Sequence, residues 1–331
     1  MSGEEFKDDH RSANGRANGS RALPRELIQE LTRRSGWRAS LAILHDVAVL
    51  AAAIAVALFW WPNPLVILAA IVVIGTRQHA LFVIAHDSAH YLLFENRRLN
   101  DWAGRACAML QGLSMCTYRV IHRLHHNNLY GELDPDTALH GGYPRGRSYL
   151  VKKLLKDLSG LTAWKTYAYF LGGAPAMNTA TNKAMRPLDD TSEKLRREAQ
   201  VDRNMVIGFH LILFLVFAWS GHLLQYLVLW VLPLATVVQA ILRLRAIAEH
   251  GATTDFSSPL TAARTNLGPA WLRWAIFPHN VNYHIEHHLY ASVPQHNLPR
   301  LHAEMRRLGV LEGAEVLPFR ATLGKIFANP A

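Results

Sequence analysis

Four long apolar stretches, set in two close pairs, restrict this 331-residue chain more than anything else in it. Residues 40–61 and 64–85 form the first pair, joined at Pro62-Asn63, and residues 204–220 and 222–242 form the second, joined at Gly221. A helix needs roughly 20 apolar residues to cross roughly 30 Å of hydrocarbon, and its backbone polar groups must be satisfied within it. Each stretch is close to that length. A soluble protein would have to bury all four as core helices in two tight pairs, so membrane spans are the stronger reading.

Charge orients the spans. The chain carries 35 Lys+Arg against 25 Asp+Glu, a formal net charge of +10. Its basic residues lie in the N-terminal part through Arg38, between Arg77 and Arg203, and from Arg243 onward, with none at either short connection. Four spans with both termini inside place all three regions on the cytoplasmic face, as the positive-inside bias requires. Basic residues interleaved with acids in loops beside spans read as contact with anionic headgroups, not with nucleic acid. If the cell is bacterial, the membrane is the inner one.

The expected organisation is a polar cytoplasmic tail and amphipathic helix over 1–38, a membrane domain over 39–302 and a cytoplasmic segment over 303–331. Leu27, Ile28, Leu31 and Trp37 give the amphipathic helix its apolar side, expected at the membrane surface. Residues 158–177 carry Trp164, Tyr167, Tyr169 and Phe170 but are interrupted by Lys165, Gly172, Gly173 and Pro175, and they read as an interfacial helix. Cys107 and Cys116 fall on the inner face, where thiols stay reduced, and have no redox or zinc spacing. The predicted fold is an all-α integral membrane protein with four transmembrane helices in two hairpins and a cytoplasmic helical cap.

That cap would carry three histidine clusters: His86 with His90, His122 with His125 and His126, and His284 with His287 and His288. With 18 His in the chain, an H-x-x-H-H pattern should arise by chance about 0.05 times. It occurs twice. Spacings of three and four put each cluster on one helical face, and the four-span arrangement brings all eight residues to one side of the membrane. Imidazole suits iron, zinc, copper or nickel. Eight ligands exceed what one ion binds, so two ions are implied; a structural zinc site would need four, usually with thiolates. Asp87, Asp134, Asp136, Glu249 and Glu286 are acids near the clusters, suited to accept the outer N–H of a ligating imidazole. His79 reads as packing or as a partner of a ligating imidazole, and His45-Asp46, near the inner end of the first span, as an internal pair or a contact to a substrate headgroup. His10, His140, His210, His222, His279 and His296 have no spacing logic.

The pattern H-x-x-x-H, H-x-x-H-H, H-x-x-H-H resembles the membrane fatty acid desaturase superfamily. Asp134-Pro135-Asp136 after the second box is similar to that family, as are Asn282-Tyr283, Leu289-Tyr290, Val293-Pro294 and Asn297-Leu298-Pro299 with His302 around the third. The resemblance runs from about His79 to His302. It implies a di-iron centre, which zinc can replace after overexpression, with O2 as co-substrate. It also implies a ninth histidine ligand, for which His250 stands in the expected place. Some relatives hold a metal-bound water with an Asn one turn earlier; here that residue is Ala246, leaving Asn280 or Asn282 as replacements. The implied reaction introduces a double bond into a fatty acyl chain or related lipid. The boxes fit equally a hydroxylase or ketolase acting on a lipid, carotenoid or alkane. A non-catalytic membrane metal-binding or transport protein would need polar residues along its spans, and spans three and four offer only His210, Gln225 and Gln239. The chain shows no His-Pro-Gly-Gly, no cysteine pairs and no G-x-G-x-x-G. Electrons would therefore come from an external donor of ferredoxin, rubredoxin or cytochrome b5 type with a reductase, docking on the basic inner face.

Overall fold

A computed structural model describes residues 23–179 and 181–330. The expected tail through residue 22, with His10, lies outside the described residues. Four helices are long and apolar enough to cross a membrane: Gly36–Phe59, Pro64–Ala89, Glu193–Trp219 and Leu223–His250. Most of the first and third is exposed apolar surface, including Leu41, Leu44, Val47, Leu211, Ile212 and Leu215. Such surface is unfavourable in water and natural against lipid.

The second helix is the axis of the molecule. Asn63 caps it, its side chain accepting from the Leu65 and Val66 amides, and Pro64 supplies the fixed φ suited to a first helical turn. From Ile74 to Ala89 every residue is buried. The helix therefore runs past the expected end at 85, through the first histidine cluster. The helix Arg97–Leu110 packs on this extension. Ser88 Oγ donates to the Asn100 carbonyl at 2.9 Å, and Asn100 donates to the Ser88 carbonyl at 3.0 Å. Gly104 makes this approach possible, since a Cβ there would lie 2.0 Å from Ser88 Oγ.

The third span starts at Glu193, well before the expected 204, as an extension with one polar side. On that side Asp202 accepts from Ser114 Oγ at 3.0 Å and the Cys116 amide at 2.8 Å. The fourth span is broken. A π-helical turn at Leu227–Val231 precedes Pro233, and Thr236 leaves helical geometry with φ −122° and ψ −78° before Val237–His250 resumes. Proline cannot donate to the preceding turn and crowds it. The break at Thr236 leaves the Leu234 carbonyl to accept from Tyr167 Oη at 3.0 Å and Gln239 Nε2 at 2.9 Å. Irregular backbone at this depth is tolerated because protein groups satisfy it.

Three expectations change. In the amphipathic helix, Arg25–Leu31, the side chains of Leu27, Ile28 and Leu31 pack against Val293, Leu298, Leu301, Met305 and Val310, while Trp37 lies in the next helix and is exposed. The interfacial stretch is only Ala163–Phe170, with Trp164 exposed but Phe170 buried and Tyr167 spent on the fourth span. The segment after 302 does not stand apart. The helix Leu298–Arg307 crosses that boundary, and Val316–Pro318 pairs in parallel with Thr265–Leu267. That pairing and an antiparallel one between Ala176–Met177 and Ala184–Met185 are the strands of an otherwise helical fold among the described residues.

Candidate metal centre

Each histidine cluster is set by a different local device. His86 lies in the last turn of the second span, and His90 caps that helix. His122, His125 and His126 line one side of Met115–Asn127, which starts at Ser114, whose side chain accepts from the Thr117 amide at 3.1 Å. His250 ends the fourth span, and Gly251 follows because a Cβ there would press to 2.7 Å on the Ile247 carbonyl. His284, His287 and His288 sit on the six-residue helix His284–Leu289. The chain enters that helix through two successive residues with positive φ, His279 at 55° and Asn280 at 59°. Such backbone persists only where surroundings enforce it. His279 Nε2 binds Asp46 at 2.6 Å and Asn280 donates to the Gln295 carbonyl at 3.0 Å.

All nine expected histidines come together, in two groups. His86, His90, His122, His126 and His287 form one; His125, His250, His284 and His288 form the other; within each, one nitrogen per residue lies within 4.8 Å of the rest. Facing Nε2 atoms are 2.7 Å apart for His90 and His122, 3.0 Å for His126 and His287, and 2.7 Å for His250 and His284. With metal–nitrogen bonds of about 2.0–2.1 Å, ligands at right angles around one ion would be about 3 Å apart.

The outer nitrogens fix the tautomers. His250 Nδ1 must donate to the Ala262 carbonyl at 3.1 Å, and His125 Nδ1 donates to Asp134 Oδ1 at 2.9 Å. When both rings are neutral, their Nε2 atoms are bare lone pairs, and these face each other at 3.2 Å. Either a metal ion between them or a proton on His125 makes that contact favourable. His86 Nε2 is likewise buried without a hydrogen-bond partner. The residues present therefore fit two ions.

Burial opposes charge on these rings. It pushes His122, His126, His284, His287 and His288 well below the usual histidine range, with neighbouring histidines adding to the effect. Burial, reinforced by Arg119 and Arg123, lowers His90 to about 4. His125 is the exception: burial works against its charge, yet Asp134 lifts it to about 9. Without an ion, a proton on His125 fills the gap toward His250.

The acids and amides expected beside the ligands divide. Asp87 Oδ1 lies 3.3 Å from His86 Nδ1. Asp134 holds His125 and also accepts from the Tyr130 and Asp136 amides, each at 2.9 Å. Glu249 Oε2 is 3.8 Å from His284 Nε2. Glu286 touches no box imidazole; its carboxylate accepts from Thr265 Oγ1 and binds His302 Nδ1, both at 2.5 Å. Asn280 and Asn282 donate to the backbone of Gln295 and Asn266, tying down the entry to the third box.

Three features escaped the sequence reading. His140, which has no spacing relation to any box, is buried with its ring 4.8 Å from that of His250. His279 turns out to be the third partner of Asp46, alongside His45 and Arg77. Arg245, buried against Glu249, lies beyond the expected end of the fourth span at 242. The sequence reading ended the span before it, so its place inside the helix became visible only in the structure.

Comparison with known proteins agrees with the geometry. The family model described as fatty acid desaturase matches residues 62–319. Among curated relatives, a dihydrorhizobitoxine desaturase from Bradyrhizobium elkanii is 27% identical over 82% of this chain and 76% of its own length. Fatty acid desaturase 3 from Bos taurus is 26% identical over 82% of this chain and 61% of its own. An sn-1 oleoyl-lipid 12-desaturase from Arthrospira platensis is 24% identical over 71% of this chain and 67% of its own.

Proposed function

Because the chain belongs to the fatty acid desaturase family, we propose that it is an O2-dependent di-iron membrane enzyme that introduces a double bond into an acyl chain or related lipid. The gathering of nine histidines into two groups, each with one imidazole nitrogen per residue within 4.8 Å of the rest, carries this reading. His86, His90, His122, His126 and His287 hold one iron, and His125, His250, His284 and His288 the other. When bound, the irons supply the O2-activating redox chemistry that removes hydrogen from an unactivated methylene.

The protein's part is alignment and exclusion. Asp134 and the Ala262 carbonyl hold two ligand rings in the tautomer that offers Nε2 inward. Tyr118 stacks on His122 at 5.5 Å, and Phe82 and Phe170 pack against Tyr118 at 5.1 and 5.8 Å. This aromatic wall gives an alkyl chain an apolar surface beside the ligands, and geometry decides which C–H is attacked. The half-buried rings, His90, His126 and His288, mark the more open side. The proposed topology is two helical hairpins with a cytoplasmic cap bearing the centre, both termini cytoplasmic, and electrons delivered there by a separate carrier and reductase.

Product analysis under labelled oxygen tests the reaction, with the protein expressed in a host of known lipid composition. Desaturation leaves the lipid unlabelled and about two mass units lighter, because both oxygen atoms leave as water. A product carrying labelled oxygen refutes the desaturase reading in favour of a hydroxylase.

A further inference from the structure

Arg245 stands where a lipid-modifying centre has little use for a structural cation. It lies in the fourth span, five residues before His250, and is only 7% exposed. Its Nε donates to Glu249 Oε2 at 3.1 Å, and that carboxylate oxygen is 3.8 Å from His284 Nε2. The guanidinium carbon sits 5.9 Å from the Phe82 ring, so the group reaches under the histidines along the aromatic wall. Glu249 meets the guanidinium at Nε, with both carboxylate oxygens 3.1 Å away. Nη1 is buried and has no acceptor among the described residues. A buried donor left unmatched is costly, and more so on a cation inside a membrane helix.

Its chemistry specifies the missing partner. Guanidinium presents a planar pair of donors matched to an oxyanion such as carboxylate or phosphate. Glu249 already supplies the counter-charge a purely structural arginine needs. Two divalent ions beside it would make the surroundings more cationic and favour an added anion further.

We propose that Arg245 anchors an oxyanion of the substrate, so that the molecule oxidised here carries a carboxylate or phosphate within a few carbons of the reacting bond. This rests on the paired-metal reading above. It separates the enzyme from one that works far along a chain from its headgroup, where the wall beside the metals would meet methylenes alone.

Full-length protein in detergent, loaded with cobalt(II), which imidazole sites accept, provides the test. Octanoate, octyl phosphate and octan-1-ol are titrated in turn, and paramagnetic relaxation of their protons is compared with a zinc-loaded sample. The expected result is strongest relaxation at the methylene beside the oxyanion, fading toward the methyl end, with no such order for octan-1-ol. Whichever of octanoate and octyl phosphate binds more tightly names the oxyanion. Arg245→Leu should weaken the anions about tenfold or more and abolish the order, while Arg245→Lys keeps it in part. Relaxation strongest at the methyl end, or an unchanged pattern in Arg245→Leu with its cobalt intact, overturns the assignment. Wild-type protein taking up fewer than two cobalt ions per chain overturns the metal reading beneath it.

Discussion

Replacing Asp134 with Asn separates the two metal groups. Asp134 is fully buried and accepts three hydrogen bonds, from His125 Nδ1 and from the amides of Tyr130 and Asp136. The amide keeps one acceptor oxygen. Placed at Oδ1, that oxygen still serves His125 and Asp136 but presents an NH2 to the Tyr130 N–H. One buried donor is then unsatisfied, costing ~1–3 kcal/mol of fold stability. His125 also loses the negative charge that raises its basicity. Removing such a carboxylate typically weakens metal binding 10–100-fold, or about 1.4–2.7 kcal/mol. Of the two histidine groups, His125 belongs to the four-histidine one and not to the five-histidine one, so only one ion should be affected. Dialysis of Asp134→Asn against graded chelator, followed by elemental analysis, should show one iron lost at 10–100-fold lower chelator than in the unmodified protein. The second should leave where it did before. Loss of both ions together would refute the assignment of His125 to one group, and an unchanged curve would refute the role of Asp134.

Three further outcomes follow from the same contacts. In the metal-free protein His125 is raised to about 9, so iron uptake at neutral pH should release ~1 proton per chain, dwindling above that value; release of several protons, measured with a pH indicator, would contradict the lowered values of the other rings. By the same sign, the proton on His125 stabilises the metal-free fold fully below the ordinary value of about 6.5, and that contribution fades as pH rises through about 9. Asp46→Ala strips the buried Arg77 of its carboxylate partner at 2.9 Å and should cost ~3–5 kcal/mol, seen as an earlier thermal inactivation midpoint in detergent; a midpoint unchanged within error would show that the Trp274 carbonyl, which accepts from Arg77 Nη2, suffices to hold Arg77. Gly104→Ala drives a methyl into Ser88, between His86 and His90, and should cost ~1–3 kcal/mol with reduced iron content; full iron content would show that the two helices part there without disturbing the first box.

Much of this was legible in the sequence, for identifiable reasons. Span existence follows from apolar length, which tertiary packing hardly alters. Span ends do not: Asp87-Ser88-Ala89 look polar enough to stop a helix but are buried by Asn100 and Gly104, which lie in the next element. The break at Thr236 was hidden because hydropathy averages over Pro233. The box histidines were readable because helical spacing is local. His250 came only through family resemblance. His140 and His279 reach their partners across long separations in sequence, with Asp46 and His279 233 residues apart, and a single chain offers no local pattern for such meetings.

Both metal groups draw on residues from distant parts of the chain, from His86 or His125 on one side to His287 or His288 on the other. No group can close during synthesis until the last of its histidines has left the ribosome. At about 5–20 residues per second, the two hundred or so residues between the first and third boxes take roughly 10–40 s to make. Through that interval the first two spans wait in the bilayer with His86 and His90 uncovered. A metal ion arriving in that interval would meet only a partial ligand set of the proposed centre. The proposed two-ion centre is therefore completed only after the third box has emerged.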